Sequence, residues 1–517
     1  MTKITALTAL ATAQLDDVLP IVDVHDTTMA ASGTTKVITA GTLSSATQGL
    51  QFLTGGGTLT AAKIAAAQAA GFQGMFLDPR YVWDASGLVI NGVQNFTIES
   101  RMAGSIGWGG HISYNTSGYI KTDTGAPADG IQVYSSAPAT SQTQGVIFRN
   151  CVIAGSNSGA VVHFGGGQRR CGLVDTLVYN TNAAAGAYAV VTDTALSDNN
   201  GENGIFSFTG GGGLAGAYAA LGIGIANQTQ SVNDTWYYGL ATAGGTYSIV
   251  KTAGGNHTFT EHYDRSNPAT ATVWNHGSGR ITFIGGEAQN TTGLSYLNDS
   301  TGQITLINQA VTQAGAAATT CQVSAGTLLL RGACTANSAQ TWALSGSGTA
   351  DLSDAAANTS AVTVSGSAGT LMLANIYAPG GAAPVLTSWT GTTQYQGTYT
   401  VKAANANTQT TTQTISWTPP AVNVRFRVSV WVRVTVAGTS TVPNLAFTGF
   451  SGGTVNVNLP MWKLDGAATA PTYLCAATGD YVTELTSLTD ASATAITVTI
   501  TPTGSTFRYS VTIERIT

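Results

Sequence analysis

Charge is what this chain has least of. Asp, Glu, Lys and Arg make up 9% of its 517 residues, against about 25% in an ordinary soluble protein. The 20 Lys+Arg do not outnumber the 25 Asp+Glu, and the formal net charge is −5. With no basic stripe to neutralise phosphates, a nucleic-acid partner is excluded. Long apolar runs are missing too. None approaches the ~20 residues that a membrane-spanning helix needs. The 63 glycines follow no strict triplet period, so a collagen-type triple helix is excluded. Cysteine is sparse: Cys151, Cys171, Cys321, Cys334 and Cys475 are odd in number, widely spaced and form no C-x-x-C pair. That argues against a disulfide framework or a cysteine metal site, and each is expected as a small buried hydrophobe.

Several chemical signatures are absent as well. There is no Walker A motif, no H-E-x-x-H and no dinucleotide fingerprint, so neither a metal nor a cofactor is expected. The glycine runs at 55–57, 165–167 and 210–213 do not continue into G-K-[ST] and are expected as loops. Gly449-Phe450-Ser451-Gly452-Gly453 fits G-x-S-x-G. A nucleophile elbow needs a helix after it, and more strand pattern follows, so a turn is expected.

What is present is a Gly/Ala/Thr/Ser/Asn-rich chain with recurring β-branched segments. Residues 60–71 read as a short helix, with Thr60 as N-cap, an Ala-rich interior and Gly71 closing it. FQGMFLDPRYVW follows as strand and turn. The chain then repeats itself. Apolar triplets begin at 281, 304, 328, 350 and 371, spaced 23, 24, 22 and 21 residues apart, and TFT at 258 is aligned 23 residues before the first. Four places after each start stand His262, Gly285, Asn308, Gly332, Asp354 and Asn375, with Asn150 and Asp175 in the same column. These types tolerate the left-handed backbone of a tight corner. A unit of 21–25 residues that turns at fixed corners predicts an all-β, right-handed parallel β-helix, with adjacent coils ~4.8 Å apart. Periods near 23 are too short for a four-stranded propeller blade.

From about Gln394 the rhythm stops. Long alternating strands follow, such as VRFRVSVWVRVTV, in which Arg425, Arg427 and Arg433 alternate with Phe426, Val428, Val432 and Val434. One polar and one apolar face predict an antiparallel β-sandwich.

The first 45 residues carry a resemblance. Leu19-Pro20-Ile21-Val22-Asp23 followed by Gly33-Thr34-Thr35-Lys36-Val37-Ile38-Thr39 resembles the virion-attachment peptide of bacteriophage tail fibres and tailspikes. Gly74 to Trp83, behind its Ala-rich helix, resembles the entry of phage and bacterial β-helices, where such a helix covers the open first coil. The resemblance implies residues 1–45 as virion anchor, 46–84 as capping helix and entry strand, 85–391 as β-helix, and 392–517 as a sandwich that trimerises or binds sugar. It also implies a homotrimer in the virion tail. Its N-terminus would join a tail or baseplate protein, and its shaft would recognise a bacterial surface polysaccharide, by binding alone or with glycosidase or lyase cleavage. A secreted pectate-lyase-like protein or adhesin would need a true signal peptide, and residues 2–13 mimic one only weakly.

One stretch, 232–290, concentrates aromatic and titratable residues in this charge-poor chain, including three of its six histidines. Aromatic rings stack on sugars, and carboxylates bond hydroxyls or act as acid and base. Trp236, Tyr238, His262, Tyr263, Trp274 and His276 are the expected sugar contacts. Asp264, Glu287 and Glu261 are the expected catalytic carboxylates. With 258 aligned on 281, Asp264 falls on Glu287, predicting two carboxylates in one column roughly 5 Å apart.

Overall fold

The computed structural model describes residues 18–23, 34–39, 49–106, 110–136, 140, 142–166, 168–192, 203–207, 213–223, 234–312, 319–331, 340–352, 362–373, 385–395, 399–417, 425–436, 444–448, 462–463, 478–488, 496–502 and 504–516. It forms two compact units, 1–296 and 297–517. In both, parallel strands wind into a β-solenoid, about 11 turns in all.

Val18–Asp23 and Thr34–Thr39 pair antiparallel, with Val18 opposite Thr39 and Asp23 opposite Thr34. The helix forms over Ala61–Ala69, and Thr60 accepts from the Lys63 amide at 3.2 Å. Gly71 follows it at φ +86°, the left-handed position that closes a helix without a Cβ penalty. A rung precedes the helix: Leu50–Leu53 pairs parallel with Gly74–Leu77, and Gly57–Thr58 with Trp83–Asp84. The helix buries Ile64 and Ala67 and packs against Gly74–Leu77 and Leu88–Ile90, the latter being the first described strand of the third face. It thereby covers a sheet edge that would otherwise be unpaired. At the entry, buried Asp78 accepts from Thr54 and Arg80 and holds the turn into Trp83.

In the first unit each coil carries up to three strands. The face-one ladder includes Gln144–Arg149, Asp234–Tyr238 and the first half of Asn256–Asp264. The face-two ladder includes Val152–Gly155, Leu177–Asn180, Gly213–Gly216 and Ala241–Gly244, and the face-three ladder Ala160–Phe164, Tyr188–Thr192, Ala219–Ile223, Tyr247–Lys251 and Ala271–Asn275. The inside is close-packed. Tyr237, Phe259 and Phe283 stack at centroid distances of 4.2 and 4.9 Å. Cys151, Cys171 and Cys321 are buried as thiols, as small hydrophobes are, whereas Cys334 and Cys475 lie outside the described residues.

The repeat reads correctly in the second unit. Ile304 pairs with Leu328, Leu328 with Ala350, and Ala350 with Leu371. In the first unit it needs one correction. His257, not Thr258, lies beside Ile281, so Phe259 stands on Phe283 and the coil is 24 residues long. The corner column moves with it. Asn150, Asp175, Gly285 and Asn308 have φ of +51°, +47°, +67° and +51°, but the corner of the 256–264 strand is Glu261, at φ +54°, and not His262. Gly332, Asp354 and Asn375 lie outside the described residues, as does the 449–453 motif.

One element interrupts the coils. Between Gln94–Glu99 and Ile120–Lys121 the chain leaves the solenoid as a hairpin, Gly104–Ile106 antiparallel to Ile112–Tyr114. The hairpin lies along the outside of face two. A Cβ at Gly104 would meet Leu177 Cδ2 at 2.7 Å and Val152 Cγ2 at 2.8 Å. One at Gly213 would meet Ile106 Cδ1 at 2.5 Å, and one at Gly110 would meet Ser266 Cβ at 3.2 Å. Small residues therefore stand where the two backbones approach.

Residues 399–516 contain two antiparallel sheets. One runs Tyr399–Gln409, Thr506–Arg515, Arg425–Val436, Gly479–Leu488 and Trp462–Lys463, and the other Gln413–Trp417, Ile496–Thr501 and Asn444–Thr448. Phe426, Val428, Val430, Val432 and Val434 from the first meet Ile415, Trp417, Ile496, Val498 and Ile500 from the second in one core. The alternation read from 425–434 is realised, with Arg427 on the outer side ion-paired to Glu514.

Candidate functional site

The register decides which residues of 232–290 face solvent. Running down the outside of face two, Val152, Leu177, Gly213, Ala241, Tyr263 and Glu287 lie in one column. Glu287 thus neighbours Tyr263, and Asp264 neighbours Ala288, so the expected Asp264–Glu287 pairing is corrected. Adjacent strand positions point to opposite faces. The one-residue slip therefore puts Asp264 inside the solenoid, 1% exposed, while Glu287 points outward.

The hairpin covers the upper part of that column, and its tip reaches the coils carrying Ala243 and Ser266. There a cleft of ≈ 310 Å³ opens, lined by Ile106, Gly110, Ala241, Thr242, Tyr263, Arg265 and Ser266. Two polar pairs stand at it. The exposed Tyr263 hydroxyl donates to Glu261 Oε2 at 3.1 Å, and Glu261 holds the phenol above its ordinary pKa. Arg265 Nε donates to Glu287 Oε2 at 3.0 Å, and its Nη2 donates to the same oxygen. Glu261 is held at its corner against the next coil: a Cβ on Gly285 would meet its Oε1 at 2.4 Å. For a glutamate the left-handed conformation costs about 1–2 kcal/mol, and such strain collects at functional sites.

Behind the cleft lies a buried network. Thr242 Oγ1 donates to Asp264 Oδ2 at 2.5 Å and sits 2.9 Å from His262 Nε2. The Ser266 amide and hydroxyl donate to Asp264 Oδ1 at 3.1 and 3.0 Å. Burial pushes the Asp264 carboxyl up to about 6, against the hydrogen bonds from Ser248, Thr242 and Ser266. Burial pushes His262 down to about 3, so it is neutral, and its Nδ1 has no partner. His257 is also lowered to about 3, by burial and then by nearby Lys251. Lys251 is fully buried and lowered to about 8 by desolvation, and it donates to the carbonyls of Ala253 and Ser278.

The expected site residues are therefore split. Glu261, Tyr263 and Glu287 share the open face with Arg265, which the sequence reading did not select as a site residue. His262 is buried and is not an open sugar contact. Tyr238 is 52% exposed on face one, beside Thr260. Trp236 pairs with Thr258. Trp274 and His276 belong to face three, where Trp274 stacks on Tyr247 at 4.9 Å and lies 5.2 Å from His276. With neighbours packed on its ring, Trp274 is no free stacking platform. No group of three or more His, Cys, Asp or Glu among the described residues has metal-site geometry. No helix among them is long and apolar enough to cross a membrane.

The molecule is a parallel β-solenoid that carries a lateral cleft, and residues 399–516 add antiparallel sheets. No family model and no curated protein sequence matches this chain. Among solved structures it is similar to phage tailspike proteins. The enzymatically active domain of tailspike protein 4 from bacteriophage CBA120 is 10% identical with a TM-score of 0.29, the match covering 87% of this chain and 65% of that one. The tailspike of Acinetobacter phage vB_ApiP_P1 is 13% identical with a TM-score of 0.29, at coverages of 88% and 84%. The tailspike gp49 of Acinetobacter baumannii bacteriophage Fri1, described as a capsular polysaccharide depolymerase, is 8% identical with a TM-score of 0.26, at 98% and 90%. The chain thus spans slightly less than two thirds of the first of these structures.

Proposed function

We propose that the chain is a phage tail fibre or tailspike. It attaches to the virion through the hairpin of Val18–Asp23 and Thr34–Thr39 and recognises a bacterial surface glycan along its solenoid. The observation that carries the reading is Glu261. A glutamate stands in a left-handed corner that Asn150, Asp175 and Gly285 fill elsewhere, and its carboxylate meets the exposed Tyr263 hydroxyl beside a cleft. Aromatic faces and carboxylate acceptors at an open groove are what a polyhydroxylated chain binds. A homotrimer in the virion tail, with three such clefts on one cell surface, would add avidity to weak contacts.

Cleavage is the second reading, favoured by two half-buried carboxylates on the outer face, Glu261 and Glu287. Incubating the full chain with purified bacterial capsular and O-antigen polysaccharides, and then sizing the products, separates the two. Retention without shortening establishes a binder. Shortened chains that disappear in Glu261→Gln or Glu287→Gln establish a depolymerase. No retention of any polysaccharide overturns the glycan reading, and a monomer mass by light scattering at micromolar concentration overturns the trimer.

A further inference from the structure

The hairpin walls two clefts. Near its tip, Ile106 and Gly110 line the cleft beside Tyr263. At its base a larger cleft of ≈ 490 Å³ opens, where exposed Ser105, Ser113 and Asn115 stand with half-buried Asn150 and Asp175. Ser105 and Ser113 are cross-strand partners. They point away from the solenoid, because the neighbouring Gly104 and Ile106 rest on it. None of the sugar contacts or carboxylates expected from the sequence lies at this second cleft.

We propose that the two clefts are the ends of one groove along the corner between faces one and two, and that this groove holds an extended stretch of glycan chain rather than a single terminal sugar. This deepens the glycan reading of the cleft beside Tyr263 and rests on it. Three observations join the clefts. The same corner column supplies both: Asp175 and Glu261 each stand two residues before Leu177 and Tyr263, and Leu177, Gly213, Ala241 and Tyr263 lie on successive rungs. Three rungs put the two corners roughly 14 Å apart along the solenoid axis. The hairpin forms a wall of each. Exposed apolar groups also collect at this corner. Tyr238 stands on the coil of Ala241, one rung before Tyr263, and Ile284 lies in its column beyond Thr260. With Tyr263 they are three of the seven large hydrophobics exposed among the described residues. An apolar patch rimmed by polar groups marks an interaction surface, and phenol rings stack on the apolar faces of sugars.

The lining decides what fits. The larger cleft offers hydroxyl, amide and carboxylate groups, which donate to and accept from sugar hydroxyls. Tyr238 then offers an exposed ring, and the smaller cleft offers Tyr263 with its carboxylate and guanidinium neighbours. A disaccharide is too short to touch both corners. A chain of several sugars reaches both, and once one end is bound the other meets its cleft as an intramolecular event. Affinity should therefore rise in a step with chain length. Exposed side chains at both clefts leave the groove accessible from the side, so an interior segment of a long polysaccharide can enter without a chain end.

The test measures, by calorimetry on the full chain, binding of oligosaccharides of graded length cut from a capsular or O-antigen polysaccharide that the chain retains. Affinity should rise about a hundredfold once the oligosaccharide is long enough to span both corners. Ser113→Trp fills the larger cleft from an exposed strand position, where a large ring is tolerated. It should remove the step and leave short oligosaccharides bound as before. Asp175→Asn keeps a residue type that accepts the left-handed corner. It should weaken only the long oligosaccharides, about fivefold to tenfold, the worth of one hydrogen bond. Should Ser113→Trp fail to fold, Asp175→Asn decides alone. An affinity that shows no step with length overturns the groove, and so does a loss that short and long oligosaccharides share equally. In both cases the cleft beside Tyr263 keeps its reading. If no polysaccharide is retained, the glycan reading fails and the groove falls with it.

Discussion

Residues 144–192 and 241–290 are stretches of one solenoid, wound on the same faces and turned at the same corner column, yet they are filled differently. In the first, the interior is Val146, Phe148, Val162, Leu173 and Val190, with Asn180 spending its amide protons on the carbonyls of Asn157 and Tyr188. Its outer face two is roofed by the hairpin. In the second, His257, His262, Asp264 and Lys251 are buried among the aromatics, and the outer face is open. Coil geometry is therefore set by the backbone ladder and the corners, which are alike in both. The content of each coil is free to differ, although both stretches carry a cleft beside the hairpin, one of ≈ 490 Å³ at Asn150, Cys151 and Asp175 and one of ≈ 310 Å³ at Tyr263 and Arg265.

The largest effect expected is common to both stretches. Phe148→Ala and Phe259→Ala each remove a fully buried ring, and each should cost about 3–5 kcal/mol in denaturant unfolding. Near-equal losses mean that the polar coils are as tightly packed as the apolar ones. A much smaller loss for Phe259→Ala would break the comparison.

Acid should separate the two stretches. His257 and His262, lowered from 6.5 to about 3, bind fewer protons folded than unfolded. Their contribution is complete above pH 6.5 and is lost as pH falls toward 3. Asp264, raised from 3.8 to about 6, acts the opposite way and gains stability as pH falls from 6 toward 4. Two histidines against one aspartate leave a net loss. Amide-exchange protection over 256–264 should fall between pH 6 and pH 4 while that over 146–164 holds.

Gly213→Ala probes the roof. Its Cβ would stand 2.5 Å from Ile106 Cδ1, and such overpacking costs about 1–3 kcal/mol. Proteolysis within 101–119 should then speed up while the coils keep their circular dichroism. The smallest effect has the opposite sign. Glu261→Asn relieves a strained corner and should stabilise the chain by about 1 kcal/mol, read as a raised melting temperature, while weakening polysaccharide retention.

Much of the shaft was legible because its signals are local or periodic. Thr60 and Gly71 bracket a helix by capping chemistry alone, and the starts at 304, 328, 350 and 371 fall on one another in space. The slip at 258 arose because the triplet was aligned on its first member, which put Thr258 against Ile281. The bulky positions carry the register instead, since Phe259 and Phe283 stack. That single residue decided whether Asp264 faced solvent, because strand positions alternate. The roof was illegible for a different reason: residues 101–119 belong to no repeat, and Gly104, Ile106 and Gly110 pack against coils distant in sequence. Arg265 carried no motif and gains a role only from Glu287 one coil away.

The hairpin also imposes an order in time. Gly104 and Ile106 rest on Val152, Leu177 and Gly213, and Gly110 rests on Ser266. All four partners leave the ribosome after the hairpin does. At synthesis rates of about 5–20 residues per second, the tip waits roughly 10–30 seconds for its seat. Until then the nascent coils expose Val152 and Leu177, and the hairpin is a pair of unclaimed strands. Completing face two thus includes the closing of an early segment over later ones, and a delay there leaves an apolar stripe open to a neighbouring chain.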